Sequence, residues 1–198
     1  MYFPYLLFVS INFQKCVHLL SAPVFILLAG ATPVLQAEVS QDEAAPSVDR
    51  VGFPTDYEKK FTVLRAKTDA KDATQVTIYG NAQTASITEL AALPYPNGAV
   101  IVMETASLKK GADGEALVDA EGKYLRDLVL GLHVMRREAG FGAAYGSNRS
   151  GEWEYAEYRA DGTYITPPPK TAACSACHVK AGPERDFVFK ARFSDTAK

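Results

Sequence analysis

The sequence predicts an α+β domain built mainly on an antiparallel β-sheet, with a few helices and a helical segment near the C-terminal end. Three observations carry this prediction. Leu128, Leu130, Leu132 and Val134 alternate within 124–136 at the period of a strand, and Glu152–Tyr158 alternates in the same way. Turn signals, Pro96-Asn97-Gly98 and Asp161-Gly162 among them, separate the β-favouring runs. Helical spacing is confined to short stretches between residues 54 and 93 and to the segment around Cys174.

Taken in order, residues 1–37 carry one charged residue, Lys15, and Leu19–Leu35 is apolar apart from small residues and Ser21. A lone positive charge, an apolar run and a small residue at Ala37 predict a secretory signal cleaved near that point. An uncleaved membrane anchor is the alternative, and the run is barely long enough for one. Residues 38–50 are polar and acidic and predict a flexible leader, which leaves 51–198 as the folded domain. Pro54 opens an expected helix to about Thr68, with Tyr57, Phe61 and Leu64 at helical spacing. A strand over Gln75–Tyr79 follows, then a helix over Ala82–Leu93 that stops before Pro94. Ala99–Ala106 is the next strand, 109–122 is a polar loop or hairpin, and Tyr124–Arg136 is a long strand. Pro167, Pro168 and Pro169 predict an extended approach to Cys174, and Phe187–Phe193 a last short aromatic strand.

The 198 residues carry a formal charge of −2 and are 47% hydrophobic. That suffices for one compact domain, and the lack of basic tracts argues against a nucleic-acid partner. Removal of 1–37 would take Cys16 with it, leaving Cys174 and Cys177 as the mature cysteines.

Cys174-Ser175-Ala176-Cys177-His178 is the attachment pattern for a c-type haem. Two thiols three positions apart lie on one helical turn and can reach two vinyl groups on one edge of the macrocycle. The next residue supplies an imidazole to the iron. The sequence therefore predicts one covalently attached haem c, anchored by Cys174 and Cys177 and ligated by His178. Three other readings use the same residues. A thioredoxin-like redox pair needs a βαβ context that is absent. A zinc site needs four ligands, and beyond residue 37 the only other histidine is His133. A plain disulfide leaves His178 without a task.

A motif at the C-terminal end of a β-rich chain differs from the usual helical electron carrier, where it lies near the start. Four features in order, namely Pro96–Val102, Gly140-Phe141-Gly142, Trp153–Tyr158 and Cys174–His178 followed by Asp186-Phe187-Val188-Phe189, resemble cytochrome P-460 and its relative cytochrome c′-beta. The resemblance covers about residues 50–195. It implies a β-rich, usually homodimeric, periplasmic haem protein that binds or oxidises small nitrogen species such as nitric oxide and hydroxylamine, with a redox partner protein.

In the P-460 enzymes the strand after the Pro-x-Gly turn supplies a lysine that cross-links to the macrocycle. Aligned on Asn97-Gly98, that position here is Met103, followed by Glu104. Methionine has no amine for that cross-link. Met103 is expected to be an apolar lid over an open iron position, a sulfur ligand giving an electron-transfer centre, or core packing. The resemblance also puts an acidic residue of the pocket at about His133, where a histidine can relay protons or donate to a bound ligand; the plain alternative is a surface histidine. Phe141, Tyr145, Trp153 and Tyr155 are candidate haem walls or core. Arg136 and Arg137 are candidates to meet the propionates or to cap a strand end.

Overall fold

The computed structural model describes residues 44–189. The expected signal over 1–37 and the start of the expected leader lie outside the described residues. Among the described residues, six strands form one sheet in chain order, each antiparallel to the next. They are β1 (Thr62–Asp69), β2 (Thr74–Gly80), β3 (Val100–Leu108), β4 (Arg126–Arg137), β5 (Trp153–Tyr158) and β6 (Tyr164–Thr166). Short helices among the described residues accompany them: α1 (Tyr57–Lys60), α2 (Ala82–Ala85) and α3 (Ala172–Val179). The fold class is the expected one, an α+β arrangement dominated by an antiparallel sheet.

Strand alternation gives the sheet two different faces. Ile101, Met135, Trp153 and Tyr155 belong to one core. Val102, Leu132, Val134, Ala156 and Tyr158 belong to the other, which Val51 and Tyr57 cover from the N-terminal side. A sheet buried on both sides explains why its central strands lack clean polar alternation.

Several elements differ from expectation for identifiable reasons. The helix expected from Pro54 is one turn long, because Thr62–Asp69 pairs with β2 as an edge strand. β-branched Thr62 and Val63 suit that strand, and Arg65 and Lys67 keep the edge charged. The helix expected over Ala82–Leu93 breaks after Ala85: Asn81 caps it, and Thr84 donates its hydroxyl to the Val100 carbonyl of β3 at 2.9 Å. On β4, Leu128 and Leu130 do not continue the buried row of Leu132 and Val134. The β3–β4 register slips between Thr105 and Ala106, spending two β4 residues against one. The slip reverses the faces, so Leu128 is 66% exposed while Leu132 is 1% exposed.

Pro168–Lys170 forms a 3-10 turn rather than an extended stretch, with proline in its favoured first position. Phe187–Phe189 is not a strand, since Phe187 has φ 59° and Val188 N–H returns to the Arg185 carbonyl; residues 190–193 lie outside the described residues. β6 was not expected at all.

The described end of the expected leader is tied to the sheet. Arg50 pairs with the buried Glu154 and lies 4.3 Å above the Phe141 ring. Asp49 accepts hydrogen bonds from the hydroxyls of Tyr158 at 2.7 Å and Tyr164 at 2.6 Å. The folded domain thus reaches back past residue 51, through Glu154, Tyr158 and Tyr164, each more than a hundred residues away.

Candidate functional site

The Cys-Ser-Ala-Cys-His segment folds as α3, launched by the Pro168–Lys170 turn. Two chains of buried hydroxyls fasten it. Ser175, between the cysteines and fully buried, donates to the Asn148 carbonyl at 2.6 Å. With that proton spent, Ser175 accepts from Ser150 at 2.8 Å, and Ser150 accepts from the Tyr155 hydroxyl at 2.6 Å. Likewise Thr171 donates to the Pro168 carbonyl at 2.7 Å and accepts from Tyr145 at 2.8 Å. Buried hydroxyls with full partner sets fix orientation as well as adding stability.

This fastening leaves the chemistry-bearing side chains facing a cavity. Cys174 and Cys177 are free thiols, the first half-buried and the second exposed. Burial pushes the Cys174 thiol up to about 11. The His178 ring lies 4.7 Å from that of Tyr155 and 5.3 Å from that of Phe189, centroid to centroid. Its Nδ1 is 2.7 Å from the Phe187 carbonyl oxygen, so Nδ1–H donates and the neutral tautomer carries its lone pair on Nε2. Burial lowers its basicity and outweighs the Phe187 carbonyl, which acts in the opposite direction.

The cavity has a volume of about 650 Å³. Its sheet wall is a row of directly opposed residues on β2 to β5: Ile78, Met103, His133 and Glu157. The next row contributes Ile101, Met135 and Tyr155. Met103 and His133 thus share one cavity with Cys174, Cys177 and His178, five positions brought together from three separate elements. Glu104, by contrast, faces the other side of the sheet, where it accepts from the Tyr57 hydroxyl and pairs with Arg126 at 2.5 Å.

One polar pair interrupts an otherwise apolar wall. His133 Nδ1 lies 2.5 Å from Glu157 Oε1, and Glu157 also accepts from the Thr166 hydroxyl. His133 is about half exposed. Glu157 was missed from the sequence, although Tyr155 and Glu157 alternate toward one face and its neighbour across the sheet is His133.

The other candidates separate cleanly. Tyr155 lines the cavity, whereas Phe141 stacks under Arg50, Tyr145 bonds Thr171, and Trp153 is core. Arg136 pairs with Glu138 at 2.7 Å and Arg137 with Glu152 at 2.9 Å.

These residues fit a haem c. Two free thiols one helical turn apart edge a large apolar cavity, and an imidazole with its outer nitrogen already engaged faces the same space. Among the described residues, no group of three or more His, Cys, Asp or Glu side chains is arranged to hold a metal ion by itself. A haem iron needs only one such ligand from the proximal side. Compared with known protein families, residues 54–190 match the family described as Cytochrome P460. No curated protein matches the chain.

Proposed function

Because the chain belongs to the cytochrome P460 family, a family of haem c cytochromes, we propose that it is an exported mono-haem protein that binds small nitrogen ligands, nitric oxide foremost, at an open iron position. Cys174 and Cys177 would hold the macrocycle through thioethers, and His178 Nε2 would ligate the iron. When bound, the haem supplies a redox-active iron with one exchangeable coordination site. The residues of this chain do the rest.

One observation carries this reading: Met103 shares the cavity with His178 and stands directly opposite His133. Met103 presents a flexible apolar side chain where the resemblance puts an amine, so it excludes water without a covalent link to the macrocycle. His133, held by Glu157, can donate a hydrogen bond to a ligand or pass a proton to it. An apolar wall with one donor suits a small, weakly polar ligand such as nitric oxide. Hydroxylamine oxidation is the second activity the family suggests, and the missing amine sets it below gas binding here.

Export follows from the same chemistry. The pattern of residues 1–37 is that of a signal, and a c-type haem belongs to a secreted chain.

The test is the spectrum of the haem-loaded ferric protein with and without nitric oxide. A high-spin spectrum that changes rapidly on addition of nitric oxide supports the reading. A low-spin spectrum with a near-infrared sulfur-to-iron band, indifferent to added ligand, contradicts it and identifies an electron carrier with His178 and Met103 as axial ligands.

A further inference from the structure

The carbonyl that receives the His178 Nδ1–H belongs to a backbone in an unusual conformation. Asp186 has φ 49° and ψ 38°, and Phe187 after it has φ 59°. Two successive non-glycine residues in the left-handed region are costly and persist only where the surroundings enforce them. The surroundings here are specific. Asp186 Oδ2 accepts from the Tyr95 backbone N–H at 3.0 Å and lies 3.4 Å from Arg137 Nε. The Asp186 carbonyl accepts from Trp153 Nε1 at 2.9 Å, and Trp153 is fully buried against Tyr95 with ring centroids 5.7 Å apart. Phe187 N–H returns to the Gly182 carbonyl at 2.9 Å. The Phe187 ring packs so closely on Gly151 that a Cβ there would lie 2.9 Å from it.

Asp186 is thereby gripped at its carboxylate and at its carbonyl by the segment before β3, the end of β4 and the start of β5, and the residue that follows aims its carbonyl oxygen at His178. We propose that Asp186 is the positioning residue of the proximal side: clamped by Tyr95, Arg137 and Trp153, it holds the Phe187 carbonyl on His178 Nδ1 and so sets the donor strength of the ligand imidazole. This rests on His178 being the iron ligand. A firm acceptor at Nδ1–H makes an imidazole more basic toward a metal, favouring the ferric over the ferrous state.

The test uses the haem-loaded full chain in four forms: wild type, Asp186→Gly, Asp186→Asn and Trp153→Phe. Glycine accepts the left-handed backbone while deleting the carboxylate, and asparagine keeps an acceptor for Tyr95 N–H. The readouts are the ferrous iron–histidine stretching frequency and the midpoint potential. We expect a lower frequency and a higher potential in Asp186→Gly and in Trp153→Phe, with Asp186→Asn restored toward wild type. If both disruptive variants hold haem and keep the wild-type frequency and potential, the clamp has no such role and the proposal is overturned. A wild-type chain without attached haem, or whose iron–histidine band survives His178→Ala, removes the reading beneath it instead.

Discussion

Met103 on β3 and His133 on β4 are direct cross-strand partners, and both border the cavity that Cys174, Cys177 and His178 also face. The sheet wall thus pairs an apolar side chain with a titratable one. Each makes a separate contribution that a single substitution can isolate.

Met103→Ala opens the wall without adding a polar group. Nitric oxide should associate about tenfold faster, corresponding to ~1.4 kcal/mol off the barrier, while the ferric spectrum stays high-spin. Flash photolysis or stopped-flow mixing measures the rate. A spectrum that passes from low-spin to high-spin on this substitution would instead make Met103 an axial ligand.

The His133–Glu157 pair should matter most for a ligand that exchanges protons. Loss of one hydrogen bond of about 0.5–1.5 kcal/mol predicts that His133→Ala binds hydroxylamine two- to tenfold more weakly, with carbon monoxide affinity nearly unchanged. Glu157→Gln should give a smaller loss in the same direction, because the histidine loses its charged partner but keeps its place. Equal hydroxylamine affinity in wild type and His133→Ala takes the histidine out of the site.

Much of this site is legible in the sequence because its firmest part is local. Cys174, Cys177 and His178 fall within five residues, and their spacing states their geometry before any fold is known. Alternation likewise marks β4 and β5, and the turn at Asn97-Gly98 marks the start of β3. What stays hidden depends on pairing across the sheet. Thr62–Asp69 looks helical until β2 is laid beside it, and Leu128 looks buried until the slip opposite Thr105 turns it outward. Glu157 reads as a solvent-facing strand residue, and only register puts it beside His133. Arg50 and Asp49 look like polar leader because their partners lie on β5 and β6.

Ser175→Ala tests the fastening of α3. The change strands the fully buried Ser150 hydroxyl and the partly buried Asn148 carbonyl. A loss of about 1–3 kcal/mol is expected in chemical denaturation, with haem attachment retained since both thiols remain. Unchanged stability would mean that the hydroxyl chain does not hold the helix.

Asp49 links the N-terminal segment to pH. Burial alone would raise its carboxyl, but hydrogen bonds from Tyr164, Gly52, Tyr158 and Val51 outweigh it and hold it below the usual carboxylate range. A lowered folded value means that its stabilisation is present above the unfolded value of about 3.9 and fades as pH falls through the lower folded one. Asp49→Asn should therefore cost about 1 kcal/mol at neutral pH and flatten the acid limb of the stability curve. Superimposable acid limbs for the two proteins would contradict this.

The most direct measurement for the whole account is the mass and absorption of the chain after denaturation, following expression with a c-type haem maturation system. One haem should remain attached to the denatured wild-type chain, and none to the Cys174→Ala/Cys177→Ala double variant. A denatured wild-type chain carrying no haem mass and no haem absorption would contradict the central claim.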